Sequence, residues 1–526
     1  MSSNRESRHV IYINWDGFAY TWYKMVNDQY SGTPHLNALI DNGALCTKSG
    51  TGVPSITGAM QQCIVSGAWP VDTGNHYKYY SKEQNSVIQY ARDNRLENIV
   101  EAAHRHDITV ASVNAWYFEN RGTAEGDTSR PYIKKLPSNF SVRIDEMIKI
   151  INGEPVETGD KSIVFEELPR LLSVYADDID SVGHNFKTTY AGLSPARTRQ
   201  QWYDNIAETI MRMDADLGRL VAALRQQGLL ETTTIILTTD HGMIHYGLES
   251  RDPDGYVGPG GLTSLHDLAD TIAQCGQRWL GRSYNVEVLA QGGMQAKEDT
   301  EIVVVPVAVQ AQISFRCPIP SEAVDDMLSQ LKGKTYYGKH LMNDELIMRG
   351  VAAGYADLLI SACPPYHFRP GSETRMVEGN HDSLHEQVRH IFTMFSGADI
   401  LPGILYDSPV SIVDIAPTIA RLLGFEGPGD AVGTALDGVM RSSLRGPKLQ
   451  VKRLEEHLDA GDTVVFAGMT EAEAELKVNG KLAGQADAKG EFVLTADLLP
   501  GMNRFVIQAK SREKFSRKTI YVYREE

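Results

Sequence analysis

Apolar residues along the chain fall into short runs that stop on charged or turn-forming residues, and this alternation predicts a sheet covered by helices. His9–Trp15 (HVIYINW) is an apolar run that ends at Asp16-Gly17 and reads as a first core strand. Thr232–Thr239 (TTTIILTT) is a β-branched run of the kind buried on both faces of a sheet, and it ends at Asp240-His241. Just before it, Ile206, Ile210, Met213, Leu217, Leu220 and Leu224 recur at alternating helical spacings of four and three, predicting a helix over 203–227 that stops at Gly228. Helix followed by strand is the repeating unit of a parallel sheet with helices packed on it.

The same reading places further elements. Thr33–Gly43 (TPHLNALIDNG) predicts a short helix with Pro34 near its start, Leu36, Leu39 and Ile40 on one face, and Gly43 closing it. Pro54–Gly67 predicts a turn followed by a helix. Between His241 and His381, Ile302–Val309 and Ala311–Cys317 predict strands and Glu322–Leu331 a helix, so that an insertion at about 262–372 is expected to cap the site. Ser408–Phe425 predicts a helix with Asp414 as N-cap, Pro417 in the first turn and Gly424 as C-cap. From about Leu449 the pattern becomes short alternating segments separated by Asn479-Gly480, Lys489-Gly490 and Pro500-Gly501. Asn-Gly is a hairpin signal. The expected organisation is a catalytic domain over 1–447 and a C-terminal β-sandwich over 448–526.

Composition narrows the class. A chain of 526 residues is longer than one compact core usually supports, which agrees with more than one domain. The formal net charge of -16 argues against a nucleic-acid polymer as partner, which calls for a basic face. It permits a small anionic substrate, because bound metal ions reverse the local field. Cys46, Cys63, Cys275, Cys317 and Cys363 are odd in number and form no CxxC pair, so they are expected as mostly buried thiols. No apolar run approaches the ~18 residues of a membrane span. Met1–Arg8 is polar and shows no apolar signal segment, which gives a cytoplasmic expectation, with an exported mature form as the alternative.

The candidate chemistry gathers at strand ends, where α/β sheets present ligands. Asp16, Asp240 and His241 each follow a core run directly, and burying their charge is costly unless a metal or partner offsets it. Asp180-Ser-Val-Gly-His184 places a carboxylate and an imidazole four residues apart, able to turn toward one ion whether helical or looped. His381 is a lone histidine, with Asp382 and His385 as candidate supporting partners. Taken singly, Asp16 and Asp240 read equally well as caps, and the others as solvated loop residues. Thr57, in Pro54-Ser-Ile-Thr-Gly-Ala-Met60, is expected at the start of a helix whose free amides attract an anion, and it is the nucleophile candidate, with Ser55 behind it. An N-cap role for Thr57 is compatible with that.

These motifs, in this order, resemble the alkaline phosphatase superfamily and, within it, the type I phosphodiesterase / nucleotide pyrophosphatase family. The resemblance runs over most of residues 9–425 and rests on Asp16, TPHLNALIDNG, the P-S-x-T turn leading to VSGAWP, DSVGH, TTDHGM, G-N-H and VDIAPTIARLLG. It implies a mostly parallel sheet sandwiched by helices. It also implies two divalent ions, zinc being favoured and manganese the alternative. Asp16, Asp240, His241 and Thr57 would hold one ion, and Asp180, His184 and His381 the other. Thr57 would attack phosphorus in line and form a covalent phospho-enzyme. Two departures stand out: the family's phosphodiesterases usually have an asparagine three residues after the nucleophile, where this chain has Met60, and glycine after the last histidine, where this chain has Asp382.

The resemblance thus implies a phosphoric ester hydrolase, a phosphodiesterase acting on a small phosphorylated substrate such as a nucleotide. A phosphomonoesterase or phosphonate hydrolase is the alternative. The C-terminal region resembles Ig-like accessory domains. A reading of another class is therefore an inactive fold that binds a glycan or protein partner, against which the full ligand set argues. Tyr77, Tyr79, Tyr80 and Trp116 are candidate pocket-wall residues.

Overall fold

The computed structural model describes residues 8–185, 192–247, 263–370, 378–454, 463–512 and 514–524. Its centre is an eight-stranded sheet. In spatial order the strands are Ile404–Tyr406, Gly43–Cys46, Thr393–Gly397, Thr233–Thr238, His9–Trp15, Leu171–Ala176, Val110–Val113 and Tyr132–Ile133. The five from Thr233–Thr238 onward are parallel; Thr393–Gly397 runs antiparallel to both of its neighbours. The expected mostly parallel sheet is therefore present, with one reversed strand.

Alternation along the central strand explains the layering. Ile11, Ile13 and Trp15 face a core closed by the helices Phe140–Asn152 and Arg199–Gln226. Val10 and Tyr12 face the opposite core, closed by Thr57–Ser66, Ile99–His104 and Ile415–Leu423. With both faces covered, the strands are apolar throughout, and polar groups are left for the strand ends.

The expected helix at 203–227 is longer by about a turn at its start, because Thr198 caps it through the amide of Gln201. Two expectations need correction. Gly43 does not close the helix Pro34–Asp41; Asn42 does, and Gly43 opens the next strand. A Cβ at Gly43 would lie 2.1 Å from the Phe395 carbonyl, so glycine is required there by strand approach. The helix expected from Ser408 begins at Ile415, since Val410–Ser411 pairs with Ser49–Gly50 instead. Asp414 and Gly424 are its caps, as expected.

The insertion contains a five-stranded sheet, whose members include Ile302–Val307, Gln310–Phe315 and Leu358–Ala362, with the helices Leu265–Leu280 and Ser321–Lys332 packed in its core. The C-terminal region forms a three-stranded and a four-stranded sheet. They enclose one apolar cluster that includes Phe466, Leu476, Phe492, Phe505 and Ile507, consistent with a β-sandwich. The hairpin at Asn479-Gly480 has both residues at positive φ, 48° and 76°. Cys46, Cys63 and Cys275 are buried, and all five cysteines are free. Among the described residues, no helix is long and apolar enough to cross a membrane.

Candidate metal centre and nucleophile

All seven residues singled out as a site converge at the carboxyl ends of the central strands. Asp16 follows His9–Trp15, and Asp240-His241 follows Thr233–Thr238, the two strands being direct neighbours. Asp180 lies in the short helix Asp178–Gly183 after Leu171–Ala176, and His184 caps that helix, one turn further on. His381 follows Glu378–Asn380, which pairs with Ile244–Tyr246 just beyond His241. Close backbone approach sustains this convergence. Gly17 has φ +81° with the Asp180 backbone beside it, and a Cβ on Gly242 would lie 2.1 Å from the Gln387 carbonyl.

Six of the seven resolve into two clusters, Asp16/Asp240/His241 and Asp180/His184/His381. In the first, His241 Nε2 stands 3.5 Å from Asp16 Oδ1 and 3.4 Å from Asp240 Oδ2. In the second, Asp180 Oδ1 stands 3.4 Å from His184 Nε2 and 3.8 Å from His381 Nε2. The clusters adjoin, with the rings of His241 and His381 stacked at 3.8 Å. Thr57, the first residue of the helix Thr57–Ser66, has its Oγ1 3.0 Å from His241 Nε2.

These spacings fit a divalent ion in each cluster. Oxygen and nitrogen donors about 2.0–2.2 Å from one tetrahedral ion stand roughly 3.3–3.6 Å apart. The inward oxygens Asp16 Oδ1, Asp180 Oδ1 and Asp240 Oδ2 are buried and make no hydrogen bond. Each histidine is held in the tautomer a ligand needs. The Nδ1 atoms of His184, His241 and His381 donate to the carbonyls of Gly379, Gly242 and Ser55 at 3.0, 3.1 and 2.9 Å, leaving Nε2 as the acceptor in each ring.

The electrostatics point the same way. Burial, reinforced by the neighbouring Asp240 and Asp180 charges, pushes the Asp16 carboxyl well above its usual range. Burial likewise raises Asp240. Burial lowers His241 to about 4, and burial with the adjacent His241 holds His381 well below the usual imidazole range. Asp180 and His184 share a different balance. Burial opposes both charges, but their mutual attraction, aided at Asp180 by His381, holds Asp180 low and His184 high. Three carboxylates packed this closely call for cationic charge, and neutral imidazoles are the form that binds metal.

Several contacts around the site carry no motif in the sequence. Tyr175 donates its hydroxyl to Asp16 Oδ2. Asn14 and Gln61 exchange two hydrogen bonds beneath Thr57. Asp382 is fully buried and bonded to the segment before Thr57. Ser55 is not placed as a nucleophile, since its Oγ accepts the Ser383 amide at 3.1 Å. His385 caps a short helix through Gln387 and stands outside the ligand set. Of the candidate wall residues, Tyr80 is core, Tyr79 stacks on Tyr90, and Trp116 lies under Arg92 and edge-on to Tyr175. Tyr77 packs against the cluster that holds Tyr80.

The comparisons agree with this architecture. The family model described as type I phosphodiesterase / nucleotide pyrophosphatase matches residues 10–267. An ectonucleotide pyrophosphatase/phosphodiesterase of Caenorhabditis elegans is 23% identical over 251 residues, covering 45% of this chain and 27% of that protein. A calcium-transporting ATPase of Myroides odoratus is 22% identical over 320 residues, covering 58% of this chain and 51% of that protein. The chain thus spans about half or less of the length of these curated relatives. Murine ectonucleotide pyrophosphatase / phosphodiesterase 5 superposes with a TM-score of 0.51 at 13% identity, over 80% of this chain and 96% of that one. Alkaline phosphatase PafA superposes with a TM-score of 0.50 at 15% identity, over 83% and 99%. The chain has the alkaline phosphatase-like fold, and its residues 10–267 match the type I phosphodiesterase / nucleotide pyrophosphatase family.

Proposed function

We propose that this protein is a two-metal phosphoric ester hydrolase, a phosphodiesterase or nucleotide pyrophosphatase in which Thr57 is the nucleophile. The observation that carries this reading is the place of Thr57 Oγ1, 3.0 Å from His241 Nε2, beside carboxylate oxygens that have no other partner. Asp16, Asp240 and His241 would hold one ion and Asp180, His184 and His381 the other, zinc being the ion this donor set suits. When bound, such ions supply Lewis-acid neutralisation of phosphoryl oxygens and lower the pKa of a neighbouring hydroxyl or water.

The chain's own residues do the rest. The first intrahelical bonds are made by the amides of Ala59 and Met60 to Ile56, so the amides of Thr57 and Gly58 precede them at the positive end of the helix. They are placed to hold a phosphoryl oxygen. Thr57 Oγ1, having lost its proton to solvent, bonds to phosphorus as the bond to the leaving oxygen breaks. Water then attacks the phospho-threonine, releasing the phosphate product and restoring the hydroxyl.

On bis-p-nitrophenyl phosphate, Thr57→Ala is expected to lose at least about a thousandfold in kcat while Thr57→Ser keeps measurable turnover. Full activity of Thr57→Ala overturns the covalent route. The fold shared with alkaline phosphatase PafA supports phosphomonoesterase activity as the second reading. The ratio of kcat/KM for p-nitrophenyl phosphate to that for the diester decides between them.

A further inference from the structure

The backbone of Asp382 has the conformation that glycine favours, φ +61°. A side chain held there is strained unless its surroundings fix it, and here they do. The Asp382 amide donates to the Ser55 carbonyl at 3.0 Å, and the Ser55 amide donates back to Asp382 Oδ1 at 3.2 Å. Gln310 Nε2 donates to the same Oδ1. On either side, His381 Nδ1 donates to the Ser55 carbonyl at 2.9 Å and the Ser383 amide donates to Ser55 Oγ at 3.1 Å. Three consecutive residues therefore grip Ser55, two positions before Thr57.

Gln310 opens the strand Gln310–Phe315 of the inserted sheet. A second tie runs from the same sheet: Ser361, in Leu358–Ala362, hydrogen-bonds Ser383 Oγ at 2.9 Å and accepts the Leu384 amide at 3.1 Å.

We propose that Asp382 is a positioning residue that locks the segment leading into Thr57 to the loop carrying His381, and that Gln310 extends this lock to the inserted sheet. The inference rests on Thr57 being the nucleophile. Its consequence is that the spacing between the nucleophile and the Asp180/His184/His381 cluster is set by a buried carboxylate. A glycine at 382 would keep the backbone bond to Ser55 but supply no acceptor for the Ser55 and Gln310 donors. The insertion over the site then bears directly on where Thr57 stands.

The test compares Asp382→Gly, Asp382→Asn and Gln310→Leu with the wild type. On the same samples it reads kinetics on bis-p-nitrophenyl phosphate, zinc per chain, and hydrogen–deuterium exchange of residues 53–60. Glycine fits the left-handed backbone, so Asp382→Gly removes only the carboxylate. Its kcat is expected to fall about 10- to 100-fold with KM within about twofold, the scale of a displaced reacting group. Zinc per chain stays at the wild-type value, and exchange quickens at 53–60 but not at 233–238. Asp382→Asn keeps an acceptor for the Ser55 amide and is expected to recover to within about threefold of wild type. Gln310→Leu is expected to lie between the two.

Wild-type kcat and exchange in Asp382→Gly overturn the proposal. So does an Asp382→Asn variant as impaired as Asp382→Gly, or a loss of activity that simply follows a loss of zinc. Should the wild type cleave no phosphate ester, the functional reading fails by itself and exchange at 53–60 decides this inference alone: unchanged exchange in Asp382→Gly overturns it.

Discussion

Gln61 and Asn14 form a closed amide pair: Gln61 Nε2 donates to Asn14 Oδ1 at 2.9 Å, and Asn14 Nδ2 donates back to Gln61 Oε1 at 3.0 Å. Both residues are fully buried. Gln61 lies one helical turn after Thr57, and Asn14 two residues before Asp16, so the pair fixes the helix that begins at Thr57 onto the strand that ends at Asp16. Gln61→Leu leaves Asn14 Oδ1 unsatisfied, which is expected to cost about 1–3 kcal/mol in denaturant unfolding. Replacing both with leucine removes that unpaired oxygen, at the cost of the Asn14 Nδ2 bond to the Tyr12 hydroxyl, and is expected to recover part of that stability. A single variant as stable as wild type would show that the pair contributes nothing.

The Tyr175 hydroxyl holds Asp16 Oδ2, which leaves Oδ1 turned toward His241 Nε2 at 3.5 Å. Tyr175→Phe keeps the ring and removes the tether. Supporting hydrogen bonds of this kind are typically worth about 10- to 100-fold in metal affinity. Zinc titration of the chelator-stripped protein is expected to show one of two sites weakened by that factor and the other unchanged. Equal weakening of both sites, or of neither, would count against the assignment of Asp16 to its own cluster.

The convergence of the candidate ligands at strand ends was legible in the sequence because their positions share a mechanical cause. Apolar runs bury strands, and the first charged residue after a run falls at the strand end, as at Asp16 and Asp240. What holds those residues was not legible. Tyr175 looks like one more apolar strand residue until Asp16 is placed opposite, and Gln61 looks like a helix residue of no special face. Asp382 was visible as a departure from glycine, but its partners Ser55 and Gln310 come together only in the tertiary fold. Gly43 misled because glycine signals both a helix stop and a close strand approach, and only the Phe395 carbonyl decides between them. Nothing local separates Ser408–Ser411 from the helix that follows, because the pairing of Val410–Ser411 with Ser49–Gly50 is long-range.

Gly242 separates His241 from the apolar residue that follows and has no room for a side chain. A Cβ there would lie 2.1 Å from the Gln387 carbonyl and 2.8 Å from Ala19 Cβ. Gly242→Ala is therefore expected to destabilise the protein by about 3 kcal/mol or more, the scale of overpacking at a backbone, and to lose zinc from the cluster that includes His241. Gly354→Ala, where nothing lies within 4 Å, serves as the neutral comparison. Thermal unfolding and metal content of the two variants check this, and matching behaviour would show that the short helix carrying Gln387 yields.

Asp414 gives the fold a pH dependence remote from the ligand clusters. Its carboxyl accepts the amides of Ser411 at 2.9 Å and Thr434 at 2.7 Å. Burial nevertheless outweighs them and pushes its pKa up to about 6. The folded state thus binds the proton more tightly than the unfolded chain does. The resulting stabilisation is complete below the unfolded value near 4 and is lost as pH rises through about 6. Asn keeps an acceptor for one of the two amides and has no charge to bury; the lost bond to the other shifts the stability difference by an amount that does not vary with pH. The stability of Asp414→Asn relative to wild type is therefore expected to rise by about 2 kcal/mol between pH 4 and pH 7, at 1.36 kcal/mol per pKa unit. Unfolding both proteins in urea across that range, at fixed zinc, measures the difference directly. A flat difference would mean that the buried carboxyl stays charged in the fold, with its two amide donors sufficient to hold it so.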